Sequence, residues 1–218
     1  MPDLKSSEII QKLKSFIQSK NIDIFGITNK IPKDIVFNRK IHGKSIIVIG
    51  IHMFDAILDL WIGGKFSKCF SDEILKAYSY QIALFLERLG YRTEPISYNG
   101  AYLKDLGVLT GLGKIGKNNL LITPEFGPNI RLRAIITEAN LDIESDINLN
   151  FNPCIDCDMP CITSCPADAF NRDKQVIERP NDYVMEKCLT YQRNNLKYIS
   201  ENAKLWCIEC IQNCKYYK

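Results

Sequence analysis

Eight of the nine cysteines fall between Cys154 and Cys214. They run Cys154-Ile-Asp-Cys157-Asp-Met-Pro-Cys161-Ile-Thr-Ser-Cys165-Pro166, then Cys188, then Cys207-Ile-Glu-Cys210-Ile-Gln-Asn-Cys214. Cysteines in such number point to either disulfides or metal. No secretory leader opens the chain: residues 1–7 are polar, and the first apolar positions are spaced for a helix. The longest apolar stretch, residues 46–54, is broken by Gly50 and His52 and is about half of what a membrane span needs. The expectation is a cytoplasmic protein with no membrane partner. In that reducing compartment, cysteines in such number are expected to bind metal.

The spacing suits iron–sulfur clusters. A 4Fe–4S cluster takes three thiolates from one compact loop and a fourth from elsewhere; in two-cluster ferredoxins the cysteine before proline ligates the other cluster. Applied here, Cys154, Cys157, Cys161 and Cys214 make one set. Cys165, Cys188, Cys207 and Cys210 make the other. Eight ligands fill two clusters with none left over. Zinc is the competing reading, since two Cys-x-x-Cys pairs also make a four-thiolate site, but it leaves the run of four before Pro166 unexplained. One departure stands out: three residues, Asp158, Met159 and Pro160, separate the second and third cysteines where the bacterial run has two. Fully ligated clusters imply electron transfer, so something else must use the electrons.

The cysteines also divide the chain. Residues 1–150 hold only Cys69, and the turn-rich segment 148–153 is the expected boundary between a domain of residues 1–150 and one of residues 151–218. The first part reads as α+β. Residues 4–20 carry an apolar helical stripe of Leu4, Ile9, Ile10, Leu13, Phe16 and Ile17. Residues 22–28 and 45–51 read as strands, the second as a buried one. Ser71 is the expected N-cap of a helix with Asp72 and Glu73 in its first turn, ending at Leu89 before Gly90. A strand at 91–96, a helix at 101–109 and a strand at 131–137 complete the reading. Lys+Arg 28 against Asp+Glu 25 is too balanced for a protein built mainly to neutralise phosphates.

Gly111-Leu-Gly113-Lys-Ile-Gly116 matches the dinucleotide pattern G-x-G-x-x-G. That pattern needs a strand before it and a helix opening within it. Here the preceding residues read as helix, and residues 120–123 are no helix start. The longer segment Thr110-Gly-Leu-Gly-Lys-Ile-Gly-Lys-Asn-Asn-Leu-Leu-Ile-Thr-Pro-Glu-Phe-Gly-Pro-Asn-Ile-Arg-Leu-Arg133, followed by Cys188-Leu-Thr-Tyr191 and Cys207-x-x-Cys210, resembles the core of epoxyqueuosine reductases and reductive dehalogenases over roughly residues 20–214.

That resemblance implies a nitroreductase-like cobalamin-binding domain followed by a ferredoxin-like domain with two 4Fe–4S clusters. It implies an oxidoreductase that passes electrons from the clusters to bound cobalamin for reductive cleavage of a small-molecule substrate, fed by a donor such as ferredoxin or flavodoxin. It places Gly111, Leu112, Gly113, Lys114, Gly116, Lys117, Asn118 and Asn119 against the corrin, with 124–128 shaping the same pocket. Glycines suit a flat ring because backbone can approach it without side chains in the way. The acidic proton donor of epoxyqueuosine reductases would fall at Ser97, which cannot easily be the acid. The tyrosine donor of dehalogenases is matched by Tyr98 or Tyr102. The tRNA-binding repeat domain has no counterpart here, which argues against a nucleic-acid partner. The alternative reading is a ferredoxin-type electron-transfer or corrinoid-activating protein without substrate chemistry of its own. His42 and His52 read as structural or solvated, Cys69 as an incidental loop residue, and Trp206 as a shield for the second cluster.

Overall fold

The computed structural model describes residues 5–31, 41–63, 68–141, 150–170, 184–195 and 197–218. Leu4 of the expected first helix and Asn148 of the expected boundary lie outside them. In chain order the elements are α1 (Ser6–Gln18), β1 (Ile24–Thr28), β2 (Ser45–His52), a 3-10 turn (Ala56–Asp59), β3 (Trp61–Ile62), β4 (Lys68–Cys69), α2 (Phe70–Arg88) and β5 (Thr93–Ile96). There follow α3 (Leu103–Leu109), β6 (Lys114–Ile115), β7 (Leu121–Ile122), β8 (Ile130–Thr137), α4 (Pro160–Thr163), α5 (Met185–Asn194), β9 (Lys197–Ser200), β10 (Ala203–Leu205) and α6 (Glu209–Gln212).

Two compact units emerge, and neither is continuous in sequence. The first comprises Met1–Ile51, Asp72–Leu112 and Arg131–Asn148; the second comprises His52–Ser71, Gly113–Ile130 and Leu149–Lys218. The cysteine-rich segment therefore shares its unit with two earlier stretches, and all nine cysteines fall there.

The first unit is built on a four-stranded sheet in the order β1-β2-β8-β5. β1 pairs antiparallel with β2, Gly26 opposite Val48. β5 pairs antiparallel with β8, Pro95 opposite Ile135. The central strands are near-continuous apolar runs: Ile46, Ile47, Val48 and Ile49 of β2, and Ala134, Ile135 and Ile136 of β8, are all fully buried, as strands covered on both faces require. The α1 stripe buries Ile9, Leu13 and Ile17, each worth roughly 1.5–3 kcal/mol of transfer free energy. Phe16 stacks on Phe85 of α2 with ring centroids 4.6 Å apart.

α2 starts one residue before the expected cap. Ser71 lies inside the helix, fully buried, and its hydroxyl faces the Cys69 thiol at 3.1 Å. It fails as an N-cap because a local sulfur satisfies its oxygen. Asp72 has a further role: Arg133 of β8 donates to it at 2.7 Å, with side-chain exposures of 7% and 19%. At the far end Gly90 takes φ +94°, and the amide of Tyr91 donates to the carbonyl of Leu86, closing the helix with a left-handed C-terminal residue. Cys69 sits in strand β4 and is buried, where the sequence suggested a loop.

In the second unit the described residues bury Leu58, Leu121, Ile122, Ile162 and Phe170. Its four-stranded sheet, β4-β3-β10-β9, uses strands of two to four residues. Trp61 of β3 packs on Trp206, centroids 5.0 Å apart. Around the cysteines, Cys161, Ile162 and Phe170 form one small buried cluster. Among the described residues no helix is long and apolar enough to cross a membrane.

Candidate functional site

The first cysteine run lacks glycine yet turns tightly, with Asp156 at φ +52°, Met159 at φ +56° and Asp168 at φ +45°. Left-handed conformations at ordinary residues are uncommon and mark a tightly constrained loop. The insertion between Cys157 and Cys161 is absorbed at one point. Met159 reverses the chain and Pro160, whose fixed φ suits a first helical position, opens α4. Cys161 is thereby carried into the buried cluster.

The electrostatics of the thiols sort them into groups. Cys161 is pushed up to about 12, first by burial and then by the charges of Cys214, Cys154 and Cys157. Burial, followed by the charges of Cys207, Cys188, Cys165 and Cys161, pushes Cys210 up to about 12. Cys154, Cys207 and Cys214 are also raised, burial again leading. The structure thus brings Cys154, Cys157, Cys161 and Cys214 into mutual electrostatic range, and Cys165, Cys188, Cys207 and Cys210 into another such group, with Cys161 and Cys210 adjoining. Among the described residues no three His, Cys, Asp or Glu side chains converge tightly enough to hold a single metal ion. A four-iron cluster spreads its thiolates around a larger cage, and two groups of four soft sulfur donors fit it chemically. Because these thiols resist ionisation, loading iron must release protons.

Hydrogen bonds to the sulfurs come from backbone amides and from a side chain, with Glu209 and Tyr216 bonding Cys207 and Cys214 through their backbones. The backbone amide of Lys117 donates to Cys154 Sγ at 3.4 Å. Gln192 Nε2, one helical turn beyond Cys188 in α5, donates to Cys188 Sγ at 3.3 Å. The buried Trp206 Nε1, adjacent to Cys207, has no partner.

The glycine-rich segment is a short hairpin, β6 paired antiparallel with β7, Lys114 opposite Ile122. Among the described residues no parallel strand–helix unit surrounds it, so the dinucleotide pattern lacks the context it needs. Gly113 is required by the chain's own packing: a Cβ there would stand 2.1 Å from the Ile122 carbonyl oxygen. Gly116 and Asn118 are buried, whereas Gly111, Leu112, Gly113, Lys114, Lys117 and Asn119 are half-exposed. Asn118 is 2% exposed; its Nδ2 donates to the carbonyl of Cys210 at 3.1 Å and its Oδ1 accepts from the amide of Leu120 at 3.2 Å. The hairpin therefore braces both cysteine runs, through Lys117 on Cys154 and Asn118 on Cys210. Sequence reasoning could not find these contacts, because one uses a backbone amide and the other meets a backbone carbonyl.

Tyr98 lies in a turn after β5 and Tyr102 immediately precedes α3 in the first unit; both are exposed, at 43% and 47%. His52 stacks on Phe126 at 4.6 Å and bonds the Lys218 carbonyl at 3.1 Å, while His42 is exposed.

No family model matches the chain. The chain is nevertheless similar to named reductases of two kinds. It is 27% identical over 150 residues to a tetrachloroethene reductive dehalogenase of Dehalobacter restrictus, covering 64% of this chain and 26% of the relative. An epoxyqueuosine reductase of Lactococcus garvieae is 30% identical over 125 residues, covering 53% of this chain and 32% of the relative. The chain thus spans about a quarter to a third of these curated relatives. Its fold matches that of a solved epoxyqueuosine reductase from Bacillus subtilis with a TM-score of 0.70 at 17% identity, covering 98% of this chain and 66% of that one. Solved reductive dehalogenases share the mixed α/β fold as well. The resemblance expected from residues 110–133 and the cysteine order is thus found in both sequence and fold.

Proposed function

We propose that the chain is an iron–sulfur oxidoreductase in which two 4Fe–4S clusters deliver electrons to a bound cobalamin for reductive cleavage of a small substrate. The observation that carries this reading is the sorting of eight thiols into two interacting groups of four, in a chain similar to reductive dehalogenases and epoxyqueuosine reductases. Cys154, Cys157, Cys161 and Cys214 hold the first cluster, and Cys165, Cys188, Cys207 and Cys210 the second. The amide of Lys117 stabilises negative charge on Cys154 Sγ, and Asn118 fixes the hairpin to the carbonyl of Cys210. Trp206 limits water near Cys207, which lowers the local dielectric and tunes the potential.

Cobalamin, when bound, supplies a strongly reducing and nucleophilic cobalt centre. In this reading the half-exposed glycine-rich segment, with Lys114, Lys117 and Asn119, meets it. The phenol of Tyr98 or Tyr102 is exposed enough to pass a proton from Oη to a substrate. An external donor such as ferredoxin or flavodoxin supplies the electrons. Whether a tRNA or a small molecule is reduced follows from the donor acid: Ser97 stands where an acidic donor is expected, which favours a small molecule.

The test is anaerobic titration of the iron-loaded chain with cob(II)alamin, read by electron paramagnetic resonance. A saturable base-off signal is the expected result. A signal unchanged from free cobalamin overturns the cobalamin part and leaves an electron-transfer protein.

A further inference from the structure

We propose that Gln192 sets the reduction potential of the second cluster by donating a hydrogen bond from Nε2 to the Cys188 thiolate. The inference rests on the two-cluster reading and adds a residue that the cysteine pattern does not contain. Cys188 and Gln192 are four residues apart on α5, so their side chains lie on one helix face. The Nε2 to Sγ distance is 3.3 Å. Gln192 is half-buried, and its Oε1 is buried with no partner among the described residues, none of which competes with the sulfur for the amide. The alternative rotamer, with Oε1 against the sulfur, would bring two lone-pair-bearing atoms together beside a negative charge. Donation from nitrogen is the orientation a thiolate selects.

The consequence follows from charge. A reduced cluster carries one more negative charge than an oxidised one, shared in part by its ligand sulfurs. A donor aimed at one of those sulfurs stabilises the reduced form more, and so raises the potential. The first cluster receives its corresponding bond from the Lys117 backbone amide, which every residue type but proline would supply at that position. At the second cluster a backbone bond from Glu209 reaches Cys207, and Gln192 adds a side-chain donor at Cys188. Among the described residues the second cluster thus has an adjustable side-chain donor beside a fixed backbone one, and the gap between the two potentials is open to substitution at residue 192.

The experiment uses the full chain, reconstituted anaerobically, as wild type and as Gln192→Leu and Gln192→Glu. Iron and sulfide are counted first, and both midpoints are then measured by redox titration followed by electron paramagnetic resonance. The expected result is full iron content in all three, with one midpoint shifted negative in both variants, further in Gln192→Glu, and the other unmoved. At a fixed applied potential the reduced fraction of that cluster, relative to its oxidised fraction, should fall on the order of tenfold, which is 59 mV for a one-electron couple. Two unmoved midpoints in an iron-replete Gln192→Glu chain overturn the proposal and leave the cluster reading intact. If Gln192→Leu loads poorly, the isosteric Gln192→Glu variant decides. A wild-type chain that takes up no iron refutes the cluster reading itself, and the proposal with it, before any potential is measured.

Discussion

The two units of this chain are stabilised by different means. In the first, the central strands β2 and β8 and the inner face of α1 are sealed by fully buried aliphatic side chains. In the second, the described strands are only two to four residues long, and buried apolar side chains are spread over Leu58, Leu121 and Ile122 and the small cluster of Cys161, Ile162 and Phe170. Small cores of that kind need staples, and metal ligation is one. The difference teaches where each unit is fragile: the first to lost packing or a broken buried ion pair, the second to lost ligands.

The sharpest way to break the comparison is to remove the iron, by chelation or by Cys210→Ser. Amide protection in 154–165, 184–195 and 203–214 should collapse, while β2 and β8 exchange as slowly as before, as measured by hydrogen exchange with mass spectrometry. Uniform loss across both units would mean that they are not separately stabilised. Next in size, Asp72→Ala leaves Arg133 buried without its carboxylate, which costs about 3–5 kcal/mol. Urea unfolding should record that loss in the first unit, with iron per folded chain unaltered. Asn118→Leu removes a buried donor to the Cys210 carbonyl and an acceptor for Leu120, a cost of about 1–3 kcal/mol. Its effect should appear as faster iron loss, with β2 and β8 still protected. The smallest effect is on pH. Thiols raised on folding keep protons that the unfolded chain releases, so iron-free stability is intact below pH 9.0 and falls as pH rises toward about 12. The iron-loaded chain, whose thiolates are already ionised, should lack that slope, and melting temperature against pH in both forms checks it.

The same contrast governs what was legible in the sequence. Periodicity located α1, β1, β2, α2, β5 and β8 to within about two residues, because long apolar patterns are dictated by burial. The paired strands β3, β4, β6, β7, β9 and β10 are too short to carry a period. The pairing of β3 with β10 also joins stretches distant in sequence, Trp61 opposite Lys204. Ser71 looked like a cap because hydroxyls before acidic residues usually are; a thiol two residues earlier, invisible as a neighbour in the linear chain, changed its role. Asp72 was legible as a favourable first-turn acid but not as the partner of Arg133, 61 residues away. The cysteines read as a ligand pattern because ligand spacing is a local constraint. Gln192 was not, since a glutamine one turn after a cysteine has no signature until the helix and its rotamer are known.

The central claim is that the eight cysteines form two sets of four, each holding a four-iron cluster. Anaerobic reconstitution followed by iron and acid-labile sulfide analysis, with Mössbauer spectroscopy of the product, tests it most directly. The account predicts about eight irons and eight sulfides per chain, all in cubane clusters. A colourless chain that binds zinc through four of these cysteines and takes up no sulfide would contradict it.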